Sequence, residues 1–291
     1  MASVLNTNMA SISAQRYLTT AQNKLASSFE KLSSGSRINR AQDDAAGMGI
    51  SQKLTASINA TSMAMRNAND AVGVIQTAEG ALSEISSMLQ RFKELSVQGA
   101  NAALSDTQRG FLATEMNGLK SEITAISTRT KFNDSALLNS AGTLTFQTGE
   151  GTTDTLSVVT VNIASTNGFA QVKALLTDTT YSSTAITNST LGVSTVGVAA
   201  FSGLAGTIDS AINEIATQRA TFGAQVNRLG HNLNNLAALY ENLSAANSRV
   251  LDTDYANETA NLTKTQILQQ AATAMLSQAN SQPNVVLALL K

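Results

Sequence analysis

The 291-residue chain contains no cysteine, no tryptophan, one proline and one histidine, and only 13% of it is charged and 4% aromatic. Without cysteine there is no disulfide framework, thiolate zinc site or thiol nucleophile. One histidine cannot build a multi-histidine metal site, and His231 has no sequence partner that would make it an acid–base catalyst. A net charge of −1 and a pI near 5.9 leave no electrostatic footprint for nucleic acid. No apolar run approaches the roughly 20 residues needed to span a bilayer; the longest candidate is Val285 to Leu290. The first ten residues, Met1 to Ala10, lack both a basic start and an apolar stretch, so the expectation is an uncleaved N-terminus rather than a secretory signal. No phosphate loop, nucleophile elbow or metalloprotease motif occurs, so no catalytic residue, metal ligand or cofactor is expected.

What the chain has in abundance is alanine, 44 residues, and neutral polar side chains: Ser, Thr, Asn and Gln total 108. Alanine buries little area, so thin paired helices suit this composition better than a thick globular core. The helical signal is strong over 45 to 130. Ala68, Ile75, Leu82 and Leu89 recur every seven residues, and Ala71, Ala78, Ile85 and Phe92 follow each by three, which is an a/d heptad seam. Past Gly99 the pattern Ser105-Asp-Thr-Gln108 reads as a capping box opening a second helix, with Leu112, Met116, Leu119, Ile123 and Ile126 on its apolar face. The seam returns as Ile208, Ile215, Phe222, Leu229, Leu236, Leu243 and Val250, predicting a rod on the order of 60 Å long.

Between about 141 and 200 the composition changes: 15 threonines, four charged residues and neither Met nor Arg. Alternation in Leu144-Thr-Phe146 and again from Leu156 to Ile163, around Gly149-Glu-Gly151, predicts a β-hairpin. Residues 177 to 200 show no period and read as loop or irregular strand. At the two ends, Leu18, Leu25 and Leu32 lie seven apart and are joined by Phe29, while Leu268, Ala272, Met275 and Ala279 trace a helical stripe. Stripes so narrow do not hold a helix in water without partners. The expected fold is mainly α: long antiparallel heptad helices forming coiled-coil bundles, with a small β-hairpin region in the middle.

The faces away from the seams carry few charges. In Asn232 to Asn247 only Glu241 is charged, where an ordinary coiled coil places Glu and Lys. Small and amide side chains allow close approach without desolvating a charge, so several helix faces are expected to be buried against other copies of the chain. The plainer reading is a bundle of low charge density.

Particular segments resemble bacterial flagellins. Leu32-Ser-Ser-Gly-Ser-Arg-Ile-Asn-Arg-Ala-Gln-Asp-Asp-Ala-Ala-Gly47 is similar to the segment after the first helix, Ser248-Arg-Val-Leu-Asp-Thr-Asp-Tyr-Ala256 to the C-terminal junction, and Gln266 to Asn280 to the last helix. The resemblance implies a non-enzymatic subunit of the extracellular flagellar filament, exported by the flagellar type III system with a chaperone and a cap protein as partners. It implies terminal inner-core helices at 1–44 and 252–291, an outer-core bundle at 45–140 and 202–251, and a hairpin with a short variable surface segment at 141–201. The polymerisation helices would carry Leu18, Leu25, Phe29, Leu32, Leu268 and Met275. No membrane or nucleic-acid partner is implied, and the short middle leaves room for at most a small outer extension.

Gln90-Arg-Phe-Lys-Glu-Leu-Ser-Val97 resembles the stretch of flagellins that the animal Toll-like receptor, a host innate immune partner, contacts. The matching positions are Arg91, Leu95 and Glu115, whereas Phe92, Lys93 and Ser96 depart from the commonest pattern. Read as residues alone, this is one heptad helix with Leu89 and Phe92 in its core and Arg91 and Glu94 on a polar face. The acidic pairs Asp43-Asp44 and Asp252/Asp254 read as helix caps and turns rather than ligands. Alternatives are a hook–filament junction protein, which shares such termini, and a flagellin-like glycan-binding adhesin, which would need aromatic residues in the middle beyond Phe146, Phe169 and Tyr181.

Overall fold

A computed structural model describes residues 7–164, 169–177 and 195–288. The helices are α1 (Met9–Ser34), α2 (Ala45–Gly99), α3 (Asp106–Arg129), α4 (Ala170–Thr177), α5 (Thr195–Leu251) and α6 (Tyr255–Ala288). Between α3 and α4 lie β1 (Lys131–Phe132), β2 (Ser135–Ala136), β3 (Asn139–Gln147) and β4 (Thr155–Asn162). The mainly α class with a small antiparallel strand region is therefore correct. With 57 residues α5 extends about 85 Å, beyond the roughly 60 Å expected from its seam, because it begins at Thr195, well before the first seam residue Ile208. Of the stretch read as loop at 177 to 200, residues 195–200 are helical and 178–194 lie outside the described residues. The octapeptide helix α4 is too short for a period to announce it.

By contacts the chain divides into two compact units, 60–239 and the pairing of 1–59 with 240–291. The division falls inside α2 and α5, whereas the sequence places its boundaries at the helix junctions near 44 and 252.

In the 60–239 unit the heptad residues do what their spacing requires. Ala68, Ile75, Leu82, Leu89, Ile85 and Phe92 of α2 are fully buried with Met116 and Ile123 of α3 and with Ile208, Ile215 and Phe222 of α5. Each such aliphatic or aromatic side chain contributes about 1.5–3 kcal/mol on burial. The hairpin β3–β4 is antiparallel, with Leu144 opposite Val158 and Phe146 opposite Leu156, and its inward residues Leu156, Val158 and Val161 complete the same core. Phe169, just before α4, and Val172 and Leu175 within it are buried there too.

The turn from α2 to α3 is held by local chemistry. Ser105 Oγ accepts from Gln108 N at 3.3 Å and Gln108 Oε1 accepts from Ser105 N at 2.9 Å, the reciprocal capping box. Behind it sits Arg109, wholly buried, whose guanidinium donates to Gly99 O at 3.1 Å, Asn101 O at 3.0 Å and Asp106 Oδ1 at 3.1 Å. It thus satisfies carbonyls that the end of α2 leaves open. Nothing in the sequence distinguishes Arg109 from a surface arginine. Beside it, the Phe201 ring packs so closely on Gly99 that a Cβ there would come within 2.3 Å, and Ser96 Oγ donates to Phe201 O at 2.7 Å.

The other unit is an antiparallel pairing of α1 with α6: Asn8 Nδ2 donates to Ala279 O at 2.7 Å at one end, and Thr253 N to Gly35 O at 2.9 Å at the other. Its seam is made of small residues seven apart, Ala14, Ala21 and Ser28 on α1 and Thr265, Ala272 and Ala279 on α6. The expected stripe divides between this seam and the outer flank. Ala272 and Ala279 turn inward with Thr265, while Leu268 and Met275 are exposed, because small side chains let the two backbones approach and the larger ones are displaced to the flanks. On α1, Leu18, Leu25 and Leu32 are half-buried and Phe29 is exposed.

Candidate assembly and recognition surfaces

Along one flank of the α1–α6 pair runs an apolar groove of about 550 Å³. Its walls include Ala10, Ala14 and Tyr17 from α1 and Leu268, Ala272 and Met275 from α6. Tyr17 is 70% exposed and Met275 65%, so large apolar side chains meet water beside a seam already closed by alanine. Exposed apolar surface gathered in this way marks a surface that another molecule covers.

The junctions that lead into this pair are pinned by the acidic residues and their neighbours. Gly35 ends α1 in the left-handed conformation at φ 70°, which glycine adopts without a Cβ penalty. Ser36 then bridges Asp252, and Arg37 N donates to Leu251 O. Asp43 Oδ2 accepts from the backbone of Asn39 at 3.1 Å and of Arg40 at 3.0 Å, and Asp44 Oδ1 accepts from Gly47 N at 2.8 Å. Asp254 accepts from Ala256 N, Asn257 N and the Asn257 amide, and Asp252 accepts from Ser248 Oγ. The backbone donors of Arg40 and then Asn39 hold the Asp43 carboxyl below its usual range, and those of Asn257 and Ala256, with the Asn257 side chain, do the same for Asp254. These are the capping and turn roles expected of them. Among the described residues no group of three His, Cys, Asp or Glu side chains could hold a metal ion.

On the outside of the bundle, Arg91 Nε donates to Glu115 Oε1 at 2.9 Å and Arg91 Nη1 to Glu94 Oε2 at 2.8 Å. Glu94 and then Glu115 raise the pKa of the Arg91 guanidinium above its ordinary value. Arg91 and Glu115, 24 positions apart in sequence, are thus brought into one exposed cluster. Leu95 is not part of it. It is fully buried in the bundle core, as are Phe92 and Ser96: Ser96 continues the heptad of Leu89, and Leu95, three residues past Phe92, flanks it on the same inward face. Of the three expected contact residues, Leu95 thus offers a partner no surface while the bundle is intact. Lys93 is ion-paired with Asp209 of α5.

A bundle of long heptad helices and an alanine-seamed terminal pair with an exposed apolar flank define a class, helical structural proteins. Comparison with known proteins gives the class a family. The bacterial flagellin N-terminal helical region matches residues 5–143 and the bacterial flagellin C-terminal helical region matches residues 205–290. Flagellin of Bacillus subtilis strain 168 is 39% identical over 305 aligned positions covering 99% of each chain. Polar flagellin F of Vibrio parahaemolyticus is 32% identical over 376 positions covering 100% of each, so that relative carries sequence without a counterpart here. Among solved structures, a Vibrio parahaemolyticus protein described as flagellar hook-associated superposes with a TM-score of 0.57 at 13% identity, covering 72% of this chain and 100% of that one, a likeness of fold alone. The chain belongs to the flagellin family, structural proteins of the flagellar filament.

Proposed function

We propose that the chain polymerises head-to-tail into a helical flagellar filament and that the α1–α6 flank is the surface covered when it does so. The single observation that carries this is the pairing itself. Alanine and threonine close the seam within one chain, and Tyr17, Phe29, Leu268 and Met275 are left exposed for neighbours. Contacts of this kind between identical subunits are heterologous and do not close, so repetition produces a filament rather than a ring. In this reading 1–44 and 252–291 form the inner layer, 45–140 and 202–251 the outer core, and 141–201 the solvent-facing part.

The same reading includes export of the unfolded chain by the flagellar type III apparatus, with a chaperone before export and a cap protein at the growing end. Family membership supports it, and a chain with no cysteine and one proline is suited to threading. In the free subunit the exposed Arg91–Glu115 cluster is open to a host Toll-like receptor, with Leu95 supporting the helix from within, and in the filament the same surface packs between neighbours. The likeness to a hook-associated protein is one of fold only and gives the junction reading no preference.

Deleting the last 30 residues tests the assembly role. The truncated chain should retain the helical circular dichroism and melting of its bundle yet fail to elongate seeds under electron microscopy. Normal filaments from that chain would refute the assignment.

A further inference from the structure

We propose that Met275 is an oxidation-sensitive control on assembly: in the free subunit a two-electron oxidant of the peroxide class converts its thioether to the sulfoxide, and the modified subunit no longer packs into a filament. This rests on the assembly reading above.

The chain has eight methionines, and their environments differ widely. Met116 is sealed in the bundle core and Met88 packs against that core. Met275 is 65% exposed, and it lines the apolar groove of the terminal pair opposite Ala10, Ala14 and Tyr17. Met9 is as accessible but does not line the groove. Accessibility governs attack by peroxide, because the reagent must reach a sulfur lone pair. In the reaction one oxygen atom passes from peroxide to sulfur, the O–O bond breaks and water leaves. Sulfur loses two electrons and the peroxide gains them.

The product carries a strong hydrogen-bond acceptor on a surface that assembly must dry. Threonine hydroxyls on the groove wall have already committed their protons, Thr20 Oγ1 to Arg16 O at 2.8 Å and Thr265 Oγ1 to Asn261 O. Stripping water from a sulfoxide on this mostly apolar wall weakens subunit addition by about tenfold or more. In an assembled filament the covered sulfur is shielded, so the control acts on free subunits.

The test treats full-length subunits with hydrogen peroxide, locates the sulfoxide by peptide mass spectrometry, and follows elongation from untreated seeds. Oxidised wild-type subunits should elongate at least about tenfold more slowly, and methionine sulfoxide reductase with a dithiol should restore them. Met275→Leu should elongate normally before and after peroxide, and Met275→Gln should be slow without any oxidant. Normal elongation by subunits oxidised at Met275, or a Met275→Leu chain as sensitive as wild type, would overturn the proposal. Polymerisation of the chain lacking its last 30 residues would instead overturn the assembly reading on which it rests, so the two failures are distinguishable.

Discussion

The bundle and the terminal pair both use residues spaced seven apart, but they place different side chains at the seam. In the bundle the inward positions are Ile75, Leu82, Leu89 and Phe92 against Ile208, Ile215 and Phe222, and all are sealed from water within one chain. In the terminal pair they are Ala14, Ala21, Thr265, Ala272 and Ala279, and the larger apolar residues Leu268 and Met275 are turned out. A core of leucine, isoleucine and phenylalanine stabilises a fold by itself. A seam of alanine contributes far less burial per turn, so it aligns two helices and leaves the main apolar contribution to neighbouring subunits.

That contrast is open to attack at several points. The largest effect is expected from Leu89→Ala, which empties a fully buried position and should lower the stability of the bundle by about 2–5 kcal/mol in urea titrations. Leu268→Ala in the terminal pair should move the monomer's melting by no more than the roughly 0.5 kcal/mol of an ordinary surface change while suppressing seeded elongation. If the two variants destabilise the monomer equally, the comparison fails. Next in size is Gly99→Ala. Its methyl would be driven into the buried Phe201 ring, and overpacking of this kind costs about 1–3 kcal/mol despite the better helix propensity of alanine.

Ser105→Ala removes one half of the capping box and should cost about 1 kcal/mol, visible as faster hydrogen exchange in the first turn of α3 with the hairpin unaffected. The smallest effect concerns the junctions. Asp43 and Asp254 have lowered carboxyl pKa values, so their contribution is present above the unfolded value near 3.8 and is lost as pH falls through the still lower folded values. Protection factors, taken against the intrinsic exchange rate at each pH, should therefore fall at Asn39, Arg40, Ala256 and Asn257 on acidification below about pH 4, before the bundle melts. Protection that is unchanged down to pH 2 would show that these carboxylates do not hold the junctions.

Much of the bundle was legible because its signals are local. The heptads of α2 and α5 repeat over many turns, the Ser105–Gln108 box spans four residues, and the alternation of β3 and β4 sits on either side of a glycine loop. Three features were not legible, each for a physical reason. Arg109 looks like any helix-surface arginine until the open carbonyls of Gly99 and Asn101 are placed around it. The helix α4 has eight residues, too few to show a period. The true terminal seam was hidden because alanine and threonine carry little hydrophobic signal, so the eye follows Leu268 and Met275 instead. Of the recognition residues, the pairing of Arg91 with Glu115 agrees with both lying on polar faces, whereas Leu95, one turn past Phe92 and beside the heptad position Ser96, lies inward.

The sequence by itself determined which stretches are helical, the antiparallel strand region between them, the absence of thiol chemistry and the family, since all of these rest on composition, period and motif. Only the tertiary structure decided which apolar residues are satisfied within the chain and which remain for a neighbour. That choice depends on how closely two helix backbones approach, and the approach is set by the side chains of both helices together rather than by either stripe read alone.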